Sequence, residues 1–271
     1  MANSANADMT GTLVSSDKPV AVFSGHRCAD VPSGVGYCDY LVEQIPDVTL
    51  LGKTFHTSNF KDRARYTVRV LASQNGTTFT TIPAGLISGT LNAGQFRDVV
   101  LSGPGEFISN NPVLAAQFMH GYEDDNAGKG DPSMVLVTPA EMGVTSATFG
   151  VYGLASTQGT FMNIVTETAS LANLTLDNAT VDPALFTSFG GSSMYSVATI
   201  PITPGAHSVI GAAPFSALVY DYGVFRDWVS YAYPVASNLS IPVASPPASP
   251  PTGGCGREKQ DDDDAESDDD S

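Results

Sequence analysis

Arg65-Tyr66-Thr67-Val68-Arg69-Val70 alternates with a period of two, Tyr66, Val68 and Val70 on one face and Arg65, Thr67 and Arg69 on the other. That is the pattern of a strand with one face on a core. Asn75-Gly76 follows, the preferred pair for a tight hairpin turn, and residues 77–80 are expected to return beside 65–70. The same signature recurs at 19–23, 96–101, 134–137, 148–152, 161–166 and 196–202. Only 40–45 reads as a helix, with Asp39 as N-cap and Pro46 as stop. Across 271 residues, 26 Gly and 18 Pro against 15% charged residues suit short strands and turns better than long surface helices. The expected fold class is all-β with one short helix.

Charge is uneven. The net charge of −16 argues against a nucleic-acid partner. Residues 257–271 hold nine acids and two bases with no apolar residue able to seed a core, and read as a disordered acidic tail. Residues 237–256, with Ser245-Pro246-Pro247-Ala248-Ser249-Pro250-Pro251, read as an extended linker. No stretch approaches the roughly 20 apolar residues of a membrane helix, so no membrane insertion is expected. Residues 1–9 are small and polar, with neither a basic start nor an apolar run, and read as a disordered N-terminus, with a leader expected upstream.

An internal echo divides the body. Pro112-x2-Ala115-x2-Phe118-x2-Gly121 matches Pro214-x2-Ala217-x2-Tyr220-x2-Gly223, each after a Pro-Gly turn at 104–105 and 204–205. A shorter relative contains Pro19 and Val20-Ala21-Val22-Phe23. The spacing implies two tandem β-sandwich-like modules, about 27–122 and 123–236, with 10–26 closing a truncated preceding module.

Four histidines stand far apart, and neither His-Glu-x-x-His, Gly-x-Ser-x-Gly nor a P-loop occurs, so catalysis is not expected. Cys28 and Cys38 flank a Gly/Pro-rich loop, the arrangement of a small loop-closing disulfide. Zinc held by His26, Cys28, Cys38 and Asp39 is the alternative, at a spacing that fits no standard zinc pattern. Glu123, Asp124, Asp125 and Asp131 crowd one Gly-flexed loop, oxygen ligands of the kind calcium takes. Solvation of an acidic loop is the alternative there. Tyr220 and Tyr222 share one strand face and Tyr231 and Tyr233 another, so a hairpin would stack them as cross-strand pairs. With Arg226 and Trp228 at the tip they would form an aromatic platform for a glycan or protein, core packing being the plain alternative.

One long block is more specific. Thr10-Gly11-Thr12-Leu13-Val14-Ser15-Ser16-Asp17-Lys18-Pro19-Val20-Ala21-Val22-Phe23-Ser24-Gly25-His26 leads into Cys28, Pro32 and Cys38-Asp39-Tyr40-Leu41-Val42-Glu43-Gln44-Ile45-Pro46. With Arg65-Tyr66, Asn75-Gly76-Thr77-Thr78, Gly130-Asp131-Pro132-Ser133-Met134, Gly205-Ala206-His207 and Tyr231-Ala232-Tyr233-Pro234, it resembles the N-terminal domain family of the IgG Fc-binding protein over most of 10–236. Leu51 stands where the family often has Trp, and Asp221 where it often has Gly. The Asp-rich tail is of the kind expected of a bacterial-type member. The resemblance implies a secreted or surface-displayed, non-enzymatic binding or adhesion module. Its partner would be an extracellular protein or glycan, immunoglobulin following from the family name alone. A structural spacer in a larger surface protein and a hydrolase are the rival readings.

Overall fold

In a computed structural model of the chain, residues 8–154, 159–223 and 229–239 are described. The chain opens with an antiparallel ribbon of β1 (Val22–Ala29) and β2 (Asp39–Ile45). A six-stranded sheet follows, from β3 (Gly52–Thr57), β4 (Tyr66–Ala72), β5 (Phe79–Ile82), β6 (Phe96–Leu101), β7 (Gly105–Met119) and β8 (Ser133–Leu136). Its spine runs β3-β7-β4-β6, and β5 and β8 also pair with β7. The eight-stranded sheet comprises β9 (Val144–Val151), β10 (Thr160–Glu167), β11 (Thr175–Leu176), β12 (Ala179–Thr180), β13 (Thr187–Phe189), β14 (Tyr195–Ile202), β15 (Gly205–Tyr222) and β16 (Ser230–Pro234). Its spine runs β12-β11-β15-β10-β14-β13, with β9 and β16 also on β15. The fold is all-β, as the alternating stretches imply.

The two long strands organise the two sheets in the same way. The first half of β7 pairs with β3 and β5, and its second half with β4 and β8. The first half of β15 likewise pairs with β9 and β11, and its second half with β10 and β16. Even the irregularity is shared. Gly52 faces Val113 while Thr54 faces Ile108; Val144 faces Phe215 while Ser146 faces Ile210. Pro112 and Pro214 each lie within that break, where a residue without an N–H interrupts no ladder bond. Without the break, a proline inside a central strand would remove a needed donor. β8, from the stretch that sequence spacing assigned to the second module, closes the first sheet.

Tyr66, Val68 and Val70 are fully buried, as their alternation predicts. Their core includes Phe55, Phe60 and Phe107 of the first half and Phe161, Tyr220 and Tyr222 of the second, so one apolar cluster joins both sheets. A second cluster, with Met162, Ile164, Val209 and Val219, lies on the other side of β10 and β15. On the outer face of β4, Arg69 stands 4.1 Å over the Phe96 ring and bonds Asp98, Asp8 and Thr10.

Two expectations fail. Residues 40–45 are strand, not helix, and the described helices are single 3-10 turns or little more. The pull of β1 across the short disulfide loop outweighs a five- or six-residue helical pattern too short to stand alone in water. The turn at Asn75-Gly76 forms, with Gly76 at φ +75°, yet residues 79–82 pair with β7 and not with β4. Both edges of β4 are already taken by β6 and β7.

Candidate functional site: the hairpin junction and its aromatic rim

The strands β2, β8 and β16 pack side by side, so two loops and the residues flanking a third connection meet at one end of these strands. The first is the Cys28–Cys38 loop: the disulfide is formed, with Cα atoms 4.9 Å apart, and Val31 O accepts from Gly121 N at 2.7 Å. The disulfide removes Cys28 and Cys38 as zinc ligands. The second loop, between β7 and β8, carries the acidic run. Beside it, Gly223 at the end of β15 accepts from Gly130 N at 3.0 Å. Gly130 has φ +68°, and a Cβ there would stand 2.9 Å from Tyr222 Cβ, so backbone conformation and close approach both require glycine.

Arg63 is the hub of the second loop, and sequence reading did not single it out. Its guanidinium is buried and donates to the Asp125 carboxylate and to the carbonyls of His120, Gly121 and Lys129, at 2.9 to 3.2 Å. Asp124 takes two bonds from Arg65, at 2.9 and 2.5 Å, and stands 2.6 Å from His120 Nδ1. The Arg65 bonds hold its carboxyl down at about 2 against the upward push of burial, with help from His120. His120, buried with its Nε2 2.8 Å from Thr67 Oγ1, is pushed by burial towards its neutral form. Glu123 lies against Gly36 of the disulfide loop. Of the four carboxylates proposed for calcium, Glu123, Asp124 and Asp125 therefore point to different partners, and the last two are neutralised by arginine. Among the described residues, no group of three or more His, Cys, Asp or Glu side chains could hold a metal ion.

Asp131 is different. Its N–H donates to Ser230 Oγ at 2.7 Å, and its buried Oδ1 has no hydrogen-bond partner among the described residues. Burial, then the charge of Asp39, pushes its carboxyl up to about 7 while Arg63 pulls the other way. The ordinary value is 3.8, so the folded chain retains a proton that the unfolded chain has released. Stability from that proton is complete below the ordinary value and is lost as pH rises through about 7. Asp131→Asn, fixed in the neutral form, is expected to gain about 2 kcal/mol on the native chain between pH 5 and pH 8. Urea titrations at the two pH values measure it, and equal gaps between variant and native would refute it. Asp124 has the opposite sign, its stabilisation being lost as pH falls towards 2.

The aromatic segment is split between two faces. The register sets Val219 opposite Tyr233, Tyr220 opposite Ala232 and Asp221 opposite Tyr231. Tyr220 and Tyr222 thus face the first core cluster and are fully buried, so they are not cross-strand partners of Tyr231 and Tyr233. Tyr220 OH accepts from Lys61 N at 2.8 Å and donates to Asn163 Oδ1, and Tyr222 OH donates to Lys61 O. Tyr231 and Tyr233 lie half-buried on the other face, stacked at 5.9 Å, with hydroxyls on the carbonyls of Tyr152 and Gly150. Of the proposed platform these two keep exposed surface. Arg226 and Trp228 lie outside the described residues.

The family model described as "IgGFc binding protein" matches residues 2–220. The chain belongs to the IgGFc-binding protein family. The human protein of that name is 24% identical over 200 residues, which is 73% of this chain and 4% of the human one. The chain thus spans a small part of the length of this relative. No solved structure matches.

The IgGFc-binding match takes in the disulfide ribbon, the whole first sheet and the second as far as Tyr220 in β15. It is a binding-protein family and not an enzyme family. No described helix is long and apolar enough to cross a membrane. At the ends of β2 and β8 away from the junction, against the middle of β7, lies a groove of about 160 Å³ lined by Leu50, Leu51, Val113, Leu136 and Met142.

Proposed function

We propose that the chain is a secreted or surface-displayed, non-enzymatic binding module whose partner is an extracellular protein or a glycan. The Cys28–Cys38 disulfide carries this reading. It closes a ten-residue separation in an exposed ribbon, and such bonds persist in oxidising compartments. Family membership supports the rest: the human relative is named for binding IgG Fc, which makes immunoglobulin Fc the first partner to test. Tyr231 and Tyr233 are the contact surface on this reading, since stacked tyrosines offer apolar area at little cost in side-chain entropy.

The experiment uses the full chain exported to an oxidising compartment, peptide-mapped with and without reduction, then titrated against IgG Fc and against mucin glycans. The expected result is a Cys28–Cys38 link and saturable binding to one of the two, weakened about tenfold by Tyr231→Ala with Tyr233→Ala. Free thiols at both positions would overturn the compartment. Failure to bind either probe would overturn the binding role in favour of a spacer. In the same preparation, Cys28→Ser is expected to lose about 2–3 kcal/mol of stability from the opened loop.

A further inference from the structure

The ribbon repeats the end of each sheet. In the first sheet Phe118 of β7 lies between Thr67 of β4 and Met134 of β8. In the second, Tyr220 of β15 lies between Phe161 of β10 and Ala232 of β16. Aligning Pro19 with Pro112 and Pro214 places Gly25 at the position of Phe118 and Tyr220, and Gly25 faces Val42 of β2. The chain beyond β2 supports that alignment independently. It passes through the 3-10 turn Val48–Leu50 into β3 at Gly52, as the chain beyond β8 passes through Ala140–Met142 into β9 at Val144, both 92 positions on.

The ribbon lacks the third strand. Among the described residues β1 pairs with β2 alone. Val20 is 61% exposed, whereas its equivalents Val113 and Phe215 are 0% and 2% exposed. Phe23 is 65% exposed where the equivalent Ala116 is buried. Edge strands are usually blunted by Lys, Pro or charge pointing inward, and residues 20–26 carry none of these apart from His26. A register break between His26 and Ala29 limits the open edge to the stretch before it.

We infer that β1 is the open edge of a third copy of the unit and takes, by strand addition, an antiparallel strand of the β4 and β10 kind from a further unit of this repeat. The register is set by the other copies: the residue equivalent to Thr67 and Phe161 lies opposite Gly25, and that equivalent to Val70 and Ile164 lies opposite Val22. The incoming strand is buried on both faces, as β4 and β10 are almost throughout. Backbone bonds supply affinity and alternate side chains select the strand. A second copy of this chain is not the occupant, because its β4 and β10 are each flanked on both edges within their own sheets.

The test is hydrogen exchange on the full chain with a synthetic peptide of residues 64–73 at millimolar concentration, against a scrambled peptide of the same composition. The peptide is expected to slow exchange in 20–27 by about tenfold, with the scrambled one inactive. Phe23→Asp, at an exposed position, is expected to abolish the protection without shifting the melting temperature. If that variant fails to fold, Val20→Asp takes its place. Equal protection by the scrambled peptide, protection at β6 or β16 instead, or none at all would overturn the inference. So would protection of 20–27 that rises with chain concentration in the absence of peptide, which would assign the edge to a second copy.

Discussion

Arg63→Met is expected to destabilise the chain by about 3–5 kcal/mol, the range for removing one partner of a buried ion pair. The substitution keeps most of the volume and removes every donor. Asp125, whose side chain is as buried as Arg63, would be left charged with the guanidinium it pairs with gone. The carbonyls of His120, Gly121 and Lys129 would each lose a bond of 2.9 to 3.1 Å. Arg63→Lys is expected to recover under half of the loss, since one ammonium cannot reach two carbonyls, a third and a carboxylate from a planar fork. Urea denaturation reads both variants, and a loss under 1 kcal/mol for Arg63→Met would show that the loop reorganises to meet water. Arg63→Met with Asp125→Leu should be less damaging than Arg63→Met alone, because the stranded charge goes with its partner.

Asn163→Leu is the second large effect, expected at about 3 kcal/mol from four broken buried bonds. Asn163 sits in β10 and uses its whole amide. Nδ2 donates to Ser58 Oγ at 2.9 Å and Asn59 O at 2.8 Å, and Oδ1 accepts from Thr199 Oγ1 at 2.8 Å and Tyr220 OH at 3.1 Å. Ser58 and Asn59 follow β3 of the first sheet, so this amide ties the two sheets together. Thr199→Val, which removes one of the four, is expected to lose about 1 kcal/mol. A midpoint shift with unchanged denaturant dependence confirms a loss of stability; a changed slope for Asn163→Leu would mean that the sheets have begun to unfold separately.

Local pattern and long-range pairing were unequally legible in the sequence. Tyr66-x-Val68-x-Val70 declares its buried face, and residues 96–101 coincide with β6, because alternation is a property of a strand alone. The partner of a strand is not. Thr77-Thr78-Phe79-Thr80 carries a correct turn signal, yet its neighbour is β7, chosen by the long strand that both halves of the sheet share. The strand at 39–45 carries Leu41, Val42 and Ile45 at a spacing that also suits a helix, and pairing with β1 decides it. Cys28 and Cys38 were legible because loop and spacing lie within a few residues. The aromatic pairs were misread by one step of register, which in a strand exchanges the faces and sends Tyr220 and Tyr222 inward. Arg63 could not be found, since its partners lie 57 to 66 residues further along the chain. An arginine beside Asp62 and Arg65 looks in sequence like any surface charge.

The short passage from β8 to β9 has a mechanical consequence. Ser133–Leu136 closes the first sheet and Val144 already belongs to the second, with only the seven residues 137–143, the turn Ala140–Met142 among them, lying between. Such a joint has no slack. Tension applied along the chain loads the closing strand of one sheet and the opening strand of the next at the same instant, so neither sheet can act as a shock absorber for the other. An array built on this plan would bear load as a stiff rod, in contrast to the stepwise give of beads on a flexible string.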